Sequence, residues 1–530
     1  MTSHSCLYRH APIRQHEDRQ SEAETVAKLV QLTHRSWGVP NPRSGTVWTR
    51  EHLKKFVQRE LRETEIILLS QREPYVHHTH ANGIHLERPA GGLVTALEPI
   101  MSACAGIWIA HGSGSADWQV VSQADHISVP PEYPVYTLRR LKLSEEELTG
   151  HYDGFCNQAL WPLCNHAHVR PIFRWRDWQH YEAVNQHFCQ AVLQEAKTSN
   201  PLVLVQDYHL ALVPQMLRNL LPNATIATFW HIPWPHAKAF AICPWREQLL
   251  QGLLGSDVLG FQTSQHCEYF LDAAEQLMEK SNQCTHVHAY PISIDWPGPE
   301  DLVNSEVAEC RQEIQQAHHL NDQRLGLGVD RLDYVKGILE RFLSIERLFE
   351  LEPQWIGRFS FIQILAPSRL RIAAYRAYRF QIQRLANAIN QRFGDHNYQP
   401  ITLVMQAQNQ HQVYRYYRAC DLCFVSSLDD GMNLVAKEFV AARDDLQGVL
   451  VLSQFAGAAT ELPQALLVNP YDIDECALAL SEALSMPHKN QVERMQEMRA
   501  HVAEHNVYRW AGNLLGDALK MRHAHANVST

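Results

Sequence analysis

The stretch "SSLDDGMNLVAKEFVAA", Ser426–Ala442, joins an apolar run, "DLCFVSS", to a helical pattern. Between them lie two adjacent carboxylates and a glycine, Asp429-Asp430-Gly431, and the helix that follows carries Lys437 and Glu438. A strand feeding a helix through such a loop is the repeating unit of a doubly wound α/β domain. Two readings of its charges stand side by side. Asp430 can cap the helix by accepting from the first free backbone N–H groups. Alternatively, those N–H groups hold an anion and the carboxylates hold the hydroxyls of a sugar nucleotide.

The same unit recurs on both sides of this junction. In the second half, "RLGLGVD", "FSFIQIL", "PITLVMQ", "DLCFVSS", "GVLVLS" and "ALLVNP" are short apolar runs with helical patterns between most of them, among them "RLRIAAYRAYRFQIQRLANAINQRF", Arg369–Phe393. In the first half, "EIILLS", "AGIWIAHG", "PLVLVQ", "ATIATFWHIPWP" and "SDVLGFQT" play the same part. Alternation of buried strands with helices predicts mostly parallel sheets with crossover connections. Pro and Gly concentrate in "AYPISIDWPGPEDL", Ala289–Leu302, which marks the seam. The expected fold is α/β, two doubly wound Rossmann-like domains facing each other across a cleft. Residues 1–62 form a partly helical N-terminal appendage, 63–295 the first domain, 296–505 the second, and 506–530 a C-terminal helix and tail that crosses back.

Bulk properties narrow the function. A chain of 530 residues is too long for one core. Its net charge of −10 argues against a general nucleic-acid binder, so an anionic ligand requires a local basic cluster. No apolar run is long enough to span a membrane, and the N-terminus has no apolar signal core, which predicts a cytoplasmic protein. The Cys-x-x-Cys pair Cys420 and Cys423 has no second pair in register and reads as reduced structural thiols. The histidine cluster "HHTHANGIH", His77–His85, contains a turn signal at Asn82-Gly83 and reads as an exposed hairpin. No metal site and no cofactor are expected.

Chemistry-bearing residues gather where strands end. Arg72 follows the first strand, and Gly91 and Gly92 open a helix soon after. Asp207 ends "PLVLVQ", where an inward carboxylate is costly unless paired or used. His231 ends the next strand, and prolines fix the loop beyond it. Arg331 and Lys336, in "GVDRLDYVKG", bracket a turn after a strand. Two cations there suit a diphosphate, or else they pair on the surface with Asp330 and Asp333. No Ser-His-acid set, P-loop or Gly-x-Gly-x-x-Gly fingerprint accompanies them. The pattern fits sugar transfer from a nucleotide, in which positioning and leaving-group stabilisation supply most of the catalysis.

The motifs "PAGGL", "FCNQALWPL", "QDYHL", "FWHIPWP", "DRLDYVKG", "DDGMNLVAKEF" and "VLSQFAGAATEL" resemble those of retaining glycosyltransferases of the trehalose-6-phosphate synthase type, which includes glucosylglycerol-phosphate synthases. The resemblance runs from about Glu65 to about His505. It implies the two-domain GT-B fold, a nucleoside-diphosphate-glucose donor and no obligatory metal. It assigns Asp430 and the backbone of Gly431, Met432 and Asn433, with Gly91 and Gly92, to the donor glucose and diphosphate. Leu434 lies against the nucleotide and Glu438 on the ribose. Arg331 and Lys336 neutralise the leaving diphosphate, His231 contacts the donor sugar, and Asp207 holds acceptor hydroxyls. Arg72, Tyr152, Trp161 and Arg369 match the residues that hold the phosphate of glucose 6-phosphate. Retention of Arg369 favours that acceptor over glycerol 3-phosphate, the acceptor of glucosylglycerol-phosphate synthases.

Four positions depart from the family pattern. The first-loop Ser-Asn-Arg is Ser70-Gln71-Arg72, the histidine before Asp-Tyr-His-Leu is Gln206, the arginine before Asp-Gly is Asp429, and the tryptophan of the first-domain glycine-rich loop is replaced by His111 or a neighbour. The expected function is glucosyl transfer to glucose 6-phosphate, giving α,α-trehalose 6-phosphate. The alternatives are a glucosylglycerol-phosphate synthase and a non-catalytic sugar-phosphate-binding relative. Neither nucleic acid nor membrane is an expected partner, and the sequence leaves a homo-oligomer open.

Overall fold

Strands form where the apolar runs fall. A computed structural model describes residues 47–62, 64–88, 92–166, 169–278, 285–298 and 306–528. The helical pattern expected in "EAETVAKLVQLTH", residues 22–34, lies outside them.

The first sheet uses β1 (Ile66–Arg72), β4 (Ile107–His111), β5 (His126–Val129), β6 (Tyr136–Leu141), β7 (Leu202–Gln206), β8 (Thr225–Phe229), β9 (Val258–Phe261) and β10 (His286–Ala289). Its order is β10-β9-β8-β7-β1-β4-β6-β5, parallel except for the antiparallel pair β5–β6. β2 (Val76–His80) and β3 (Gly83–Glu87) form a separate hairpin. The hairpin turns at Ala81-Asn82, one residue earlier than the Asn-Gly signal suggests, and Gly83 takes the positive φ of 117° that follows the turn. The second sheet runs β13 (Ile401–Val404), β12 (Phe359–Ala366), β11 (Arg324–Arg331), β14 (Leu422–Val425), β15 (Val449–Ser453) and β16 (Leu466–Val468), with every neighbouring pair parallel.

Both sheets are wound the same way. Each chain half begins at a central strand, builds outward, then returns to the other side of that strand. The winding reverses between β1 and β7 in the first sheet and between β11 and β14 in the second. At such a reversal the loops at the carboxyl ends part and leave a crevice. The strands flanking it are buried along nearly their whole length, as β1, β7 and β14 show, because helices cover both faces. The helix Ile338–Leu351 illustrates the covering: Ile338, Phe342, Ile345, Leu348 and Phe349 recur at helical spacing and are buried against the second sheet.

The described part of the N-terminal segment is not a free appendage. The helix Arg50–Glu60 buries Leu53 and Val57 in the core shared with the C-terminal helix Val507–Val528, and Trp48 accepts from Asn506 Nδ2 at 2.7 Å. That C-terminal helix lies on the first sheet: Val507 N donates to Ile294 O, Trp510 Nε1 to Tyr290 O, and Tyr290 OH to Asp517. The cysteines of the described residues, Cys420 and Cys423 among them, are free.

Candidate active site

The carboxyl ends of the two sheets face each other across a cleft of about 380 Å³. Arg72, Tyr152, Trp161, Asp207 and His231 line it from the first half, and Arg331, Lys336, Arg369, Asp430, Gly431, Met432, Asn433, Leu434 and Glu438 from the second. Of the residues singled out in the sequence, Gly91 lies outside the described residues. Gly92 opens the helix Gly92–Cys104 as expected.

On the second-half side, Asp430 is not the helix cap. The helix Leu434–Ala442 is capped by Asn433, whose Oδ1 accepts from Ala436 N at 3.1 Å. Asp430 instead accepts from Lys336 Nζ at 2.5 Å, from Asn433 Nδ2 at 3.0 Å and from Ser427 Oγ at 3.2 Å. Burial works to raise its pKa, but Lys336 and these donors win and hold the carboxyl below its ordinary range. The surface pairing of Arg331 and Lys336 with Asp330 and Asp333 does not form. Asp330 pairs with the buried Arg341 at 2.5 Å, and Asp333 with Arg369 at 3.0 Å. Lys437, by contrast, is structural: its ammonium is buried against Glu461 at 2.6 Å and Ile292 O at 2.8 Å. Glu438 accepts from Tyr417 OH at 2.9 Å, and burial lifts its carboxyl to about 7.

Beside it, from both halves, stands a concentration of positive charge. Arg369 lies 4.0 Å above the Trp161 ring, and Arg331 lies 5.6 Å from the same ring. Arg72 Nη2 donates to Tyr152 OH at 3.2 Å. Burial would raise the Tyr152 hydroxyl, yet Arg72, then Arg369 and Arg331, bring it down to about 8. Burial, followed by repulsion from Arg369 and Arg72, lowers the pKa of Arg331. Asp333 offsets part of this charge; its two oxygens accept from Arg369 Nη1 and, at 3.3 Å, from Trp161 Nε1. Trp161 and Tyr152 are aimed here by an unusual segment, the wide-turn π-helix Leu148–Leu160, which runs directly into the short helix Trp161–Cys164. The end of β1 is pinned by Glu73, the neighbour of Arg72, which accepts from the buried Arg140 at 2.7 Å.

Between the two sides sits Asp207, at a strained φ of 72°. Burial lifts its carboxyl to about 6, against hydrogen bonds from the backbone of Tyr208 and His231. His231 is held down to about 3 by burial, so its ring is neutral at physiological pH. Its Nε2 lies 2.9 Å from Gln206 Oε1. A Cβ on Gly431 would meet His231 O at 2.4 Å, so glycine is what allows the second-half loop to close on this strand end.

The remaining departures are buried. Gln71 Oε1 lies 3.1 Å from His151 Nε2, and His111 is buried at the end of β4 with its pKa lowered to about 4 by burial. Several lining residues escaped the sequence reading, among them Gln262, Tyr208, Gln408 and Tyr414. Gln262 follows β9 as Asp207 follows β7, so the rule that found one could have found the other.

Comparison with known proteins shows the family. The family model described as glycosyltransferase family 20 matches residues 64–520. A trehalose-6-phosphate synthase of Mycobacterium avium is 36% identical over 451 residues, 82% of this chain and 90% of that one. One of Mycolicibacterium vanbaalenii is 36% identical over 477 residues, 86% and 96% of the two chains. Among solved structures, the E. coli trehalose-6-phosphate protein bound with UDP-2-fluoro glucose aligns with a TM-score of 0.75 and 32% identity, over 86% of this chain and 99% of that one. The UDP-forming α,α-trehalose-phosphate synthase of Burkholderia xenovorans in complex with glucose 6-phosphate aligns with a TM-score of 0.75 and 31% identity, over 86% and 100%.

Proposed function

Because this chain belongs to glycosyltransferase family 20, we propose that it moves glucose, with retention, from a nucleoside-diphosphate-glucose to glucose 6-phosphate. The products are α,α-trehalose 6-phosphate and the nucleoside diphosphate. Uridine diphosphate glucose is the first donor to test, since the solved relatives include a complex with its fluoro analogue and UDP-forming enzymes. The observation that carries the acceptor is the convergence of Arg72, Arg331 and Arg369 around Tyr152 and Trp161. Such mutual repulsion is relieved by a phosphate, and the planar forks suit its oxygens.

The chemistry follows from the assigned places. The anomeric hydroxyl oxygen of the acceptor attacks the donor anomeric carbon from the face the diphosphate leaves. The new C–O bond forms as the bond to the phosphate oxygen breaks, and that departing oxygen takes the hydroxyl proton. Arg331 and Lys336 stabilise the growing negative charge. Asp430, with the backbone of Gly431, Met432 and Asn433, orients the donor glucose and diphosphate, to which Gly91 and Gly92 are also assigned. Leu434 lies against the nucleotide, and Glu438 accepts from its ribose hydroxyls. His231, kept neutral, contacts the donor sugar, and Asp207 orients acceptor hydroxyls. No protein nucleophile is required, so positioning and electrostatic stabilisation carry the rate.

We assign residues 63–295 to the acceptor domain and 296–505 to the nucleotide-sugar domain. The cytoplasm is the compartment this reading favours, supported by the free, scattered thiols. Among the described residues no helix is long and apolar enough to cross a membrane. The experiment is a matrix of uridine, adenosine and guanosine diphosphate glucose against glucose 6-phosphate and glycerol 3-phosphate, with each product identified. Preference for glycerol 3-phosphate would overturn the acceptor assignment.

A further inference from the structure

Asp429 stands one residue before Asp430, where the family resemblance leads one to expect an arginine. Its carboxylate reaches across the cleft mouth to the first half. Asp429 Oδ2 accepts from the backbone N–H of His166 at 2.8 Å and lies 2.9 Å from His166 Nδ1. The carbonyl of His166 accepts from Tyr471 OH at 3.5 Å. On its other side the His166 ring stacks on His236, with centroids 6.0 Å apart and planes 20° from parallel. One first-half residue is therefore held at its amide, its ring and its carbonyl by two residues of the second half.

The segment that carries Asp429 is itself fastened. Leu428 N donates to Val335 O at 2.7 Å, and Asp430 N to Phe455 O at 3.1 Å. Two residues beyond Asp429, Gly431 presses on the carbonyl of His231. Asp430 is thus bracketed by two contacts with the first half, at Asp429 and at Gly431. Electrostatics point the same way. A bare carboxylate beside a diphosphate would oppose donor binding, and His166 is placed to neutralise it. The side-chain hydrogen bond that Asp429 accepts raises the His166 pKa from its ordinary value. His266, also near Asp429, is buried and lowered to about 4, so it stays neutral and does not compete for that charge.

We propose that Asp429 and His166 are positioning residues for the donor: their contact holds the loop of Asp430 and Gly431 against the first half and so sets donor affinity. The inference rests on the donor role of that loop. The opposing view is that a half-exposed pair contributes nothing measurable.

A double-mutant cycle decides between them. Asp429→Ala, His166→Ala, the double variant and Asp429→Asn are compared in the full chain by steady-state kinetics with uridine diphosphate glucose and glucose 6-phosphate. Calorimetric binding of uridine diphosphate and melting curves accompany the kinetics. Loss of a charge-assisted bond should raise the donor KM and the uridine diphosphate Kd of Asp429→Ala roughly five- to tenfold, with the acceptor KM nearly unchanged. His166→Ala keeps the backbone bond and should lose less. The double variant should be no worse than Asp429→Ala, because the contact is already gone. Asp429→Asn keeps an acceptor for the His166 N–H and should recover part of the loss. Unchanged donor constants in folded Asp429→Ala, or single effects that multiply in the double variant, would overturn the proposal. A parent enzyme that binds uridine diphosphate yet transfers no glucose would instead sink the functional reading, and calorimetry would still report on the contact.

Discussion

The Lys336 ammonium lies 2.5 Å from the Asp430 carboxylate, joining the turn after β11 to the loop after β14. Both side chains are mostly buried, and each is the other's main neutralising partner. The pair couples the group assigned to the leaving diphosphate with the group assigned to the donor glucose. Removing either one leaves a buried charge, a loss that affects folding as well as turnover.

Arg331 therefore gives the cleaner test of leaving-group stabilisation. Its guanidinium stacks near Trp161, while Asp333 is engaged by Arg369. Arg331→Ala should lower kcat about a hundredfold, about 3 kcal/mol of transition-state stabilisation, with little change in melting temperature. Lys336→Ala should lose turnover and stability together. Near-normal kcat in folded Arg331→Ala would remove it from the mechanism.

For the acceptor, Arg369→Lys is more informative than Arg369→Ala. Arg369 is buried on Asp333 and Trp161, so deletion strands a carboxylate. Lysine keeps the charge and loses the planar fork. The KM for glucose 6-phosphate should rise about tenfold, while the donor KM and the melting temperature stay near the parent values. An unchanged acceptor KM would place the phosphate elsewhere.

Donor binding should depend on pH through Glu438. Its carboxyl titrates at about 7 because it is buried, and only the ionised form accepts two ribose hydroxyls well. Donor affinity should fall as pH drops below about 7, by up to tenfold per unit, and Glu438→Gln should flatten that limb. The stability sign is opposite. The raised folded pKa contributes stability below the unfolded value, and this is lost as pH rises through about 7. A donor KM in the parent that does not change between pH 6 and 8 would contradict the ribose assignment.

Gly431→Ala should separate the two halves at the strand end of β8. The added Cβ meets the carbonyl of His231, which is backbone and cannot swing away. We expect kcat/KM to fall by about tenfold or more. Full activity would mean that the two halves need not approach so closely there.

How much of this was legible in the sequence follows from burial. The strands β11, β12, β14 and β15 were readable because a strand covered on both faces is a nearly continuous apolar run, and the edge strands β13 and β16 were readable because their residues are apolar even though they are less buried. β5, β6 and β10 were not. β6 alternates buried and half-buried residues, β5 and β10 are sheet edges, and "YTLRRL" and "HVHA" carry charged or polar side chains to match. Residues such as Asp207 and Arg331 were legible because strand ends at a winding reversal point into the crevice. Their partners were not. Asp430 finds Lys336 at a separation of 94 residues, and Asp429 finds His166 at 263; no local pattern encodes either pairing. The π-helix that aims Tyr152 left no periodic signature either, since its spacing belongs to neither regular helix nor strand.

The central proposal is glucosyl transfer to a hexose phosphate without help from a metal, with Arg331 and Lys336 assigned the positive charge at the diphosphate. The direct measurement is product analysis of the purified chain with uridine diphosphate glucose and glucose 6-phosphate, with and without a chelator. The account predicts α,α-trehalose 6-phosphate with the donor's α configuration retained, at rates unaffected by chelation. It would be contradicted if glycerol 3-phosphate were the better acceptor, or if chelation abolished transfer and magnesium restored it.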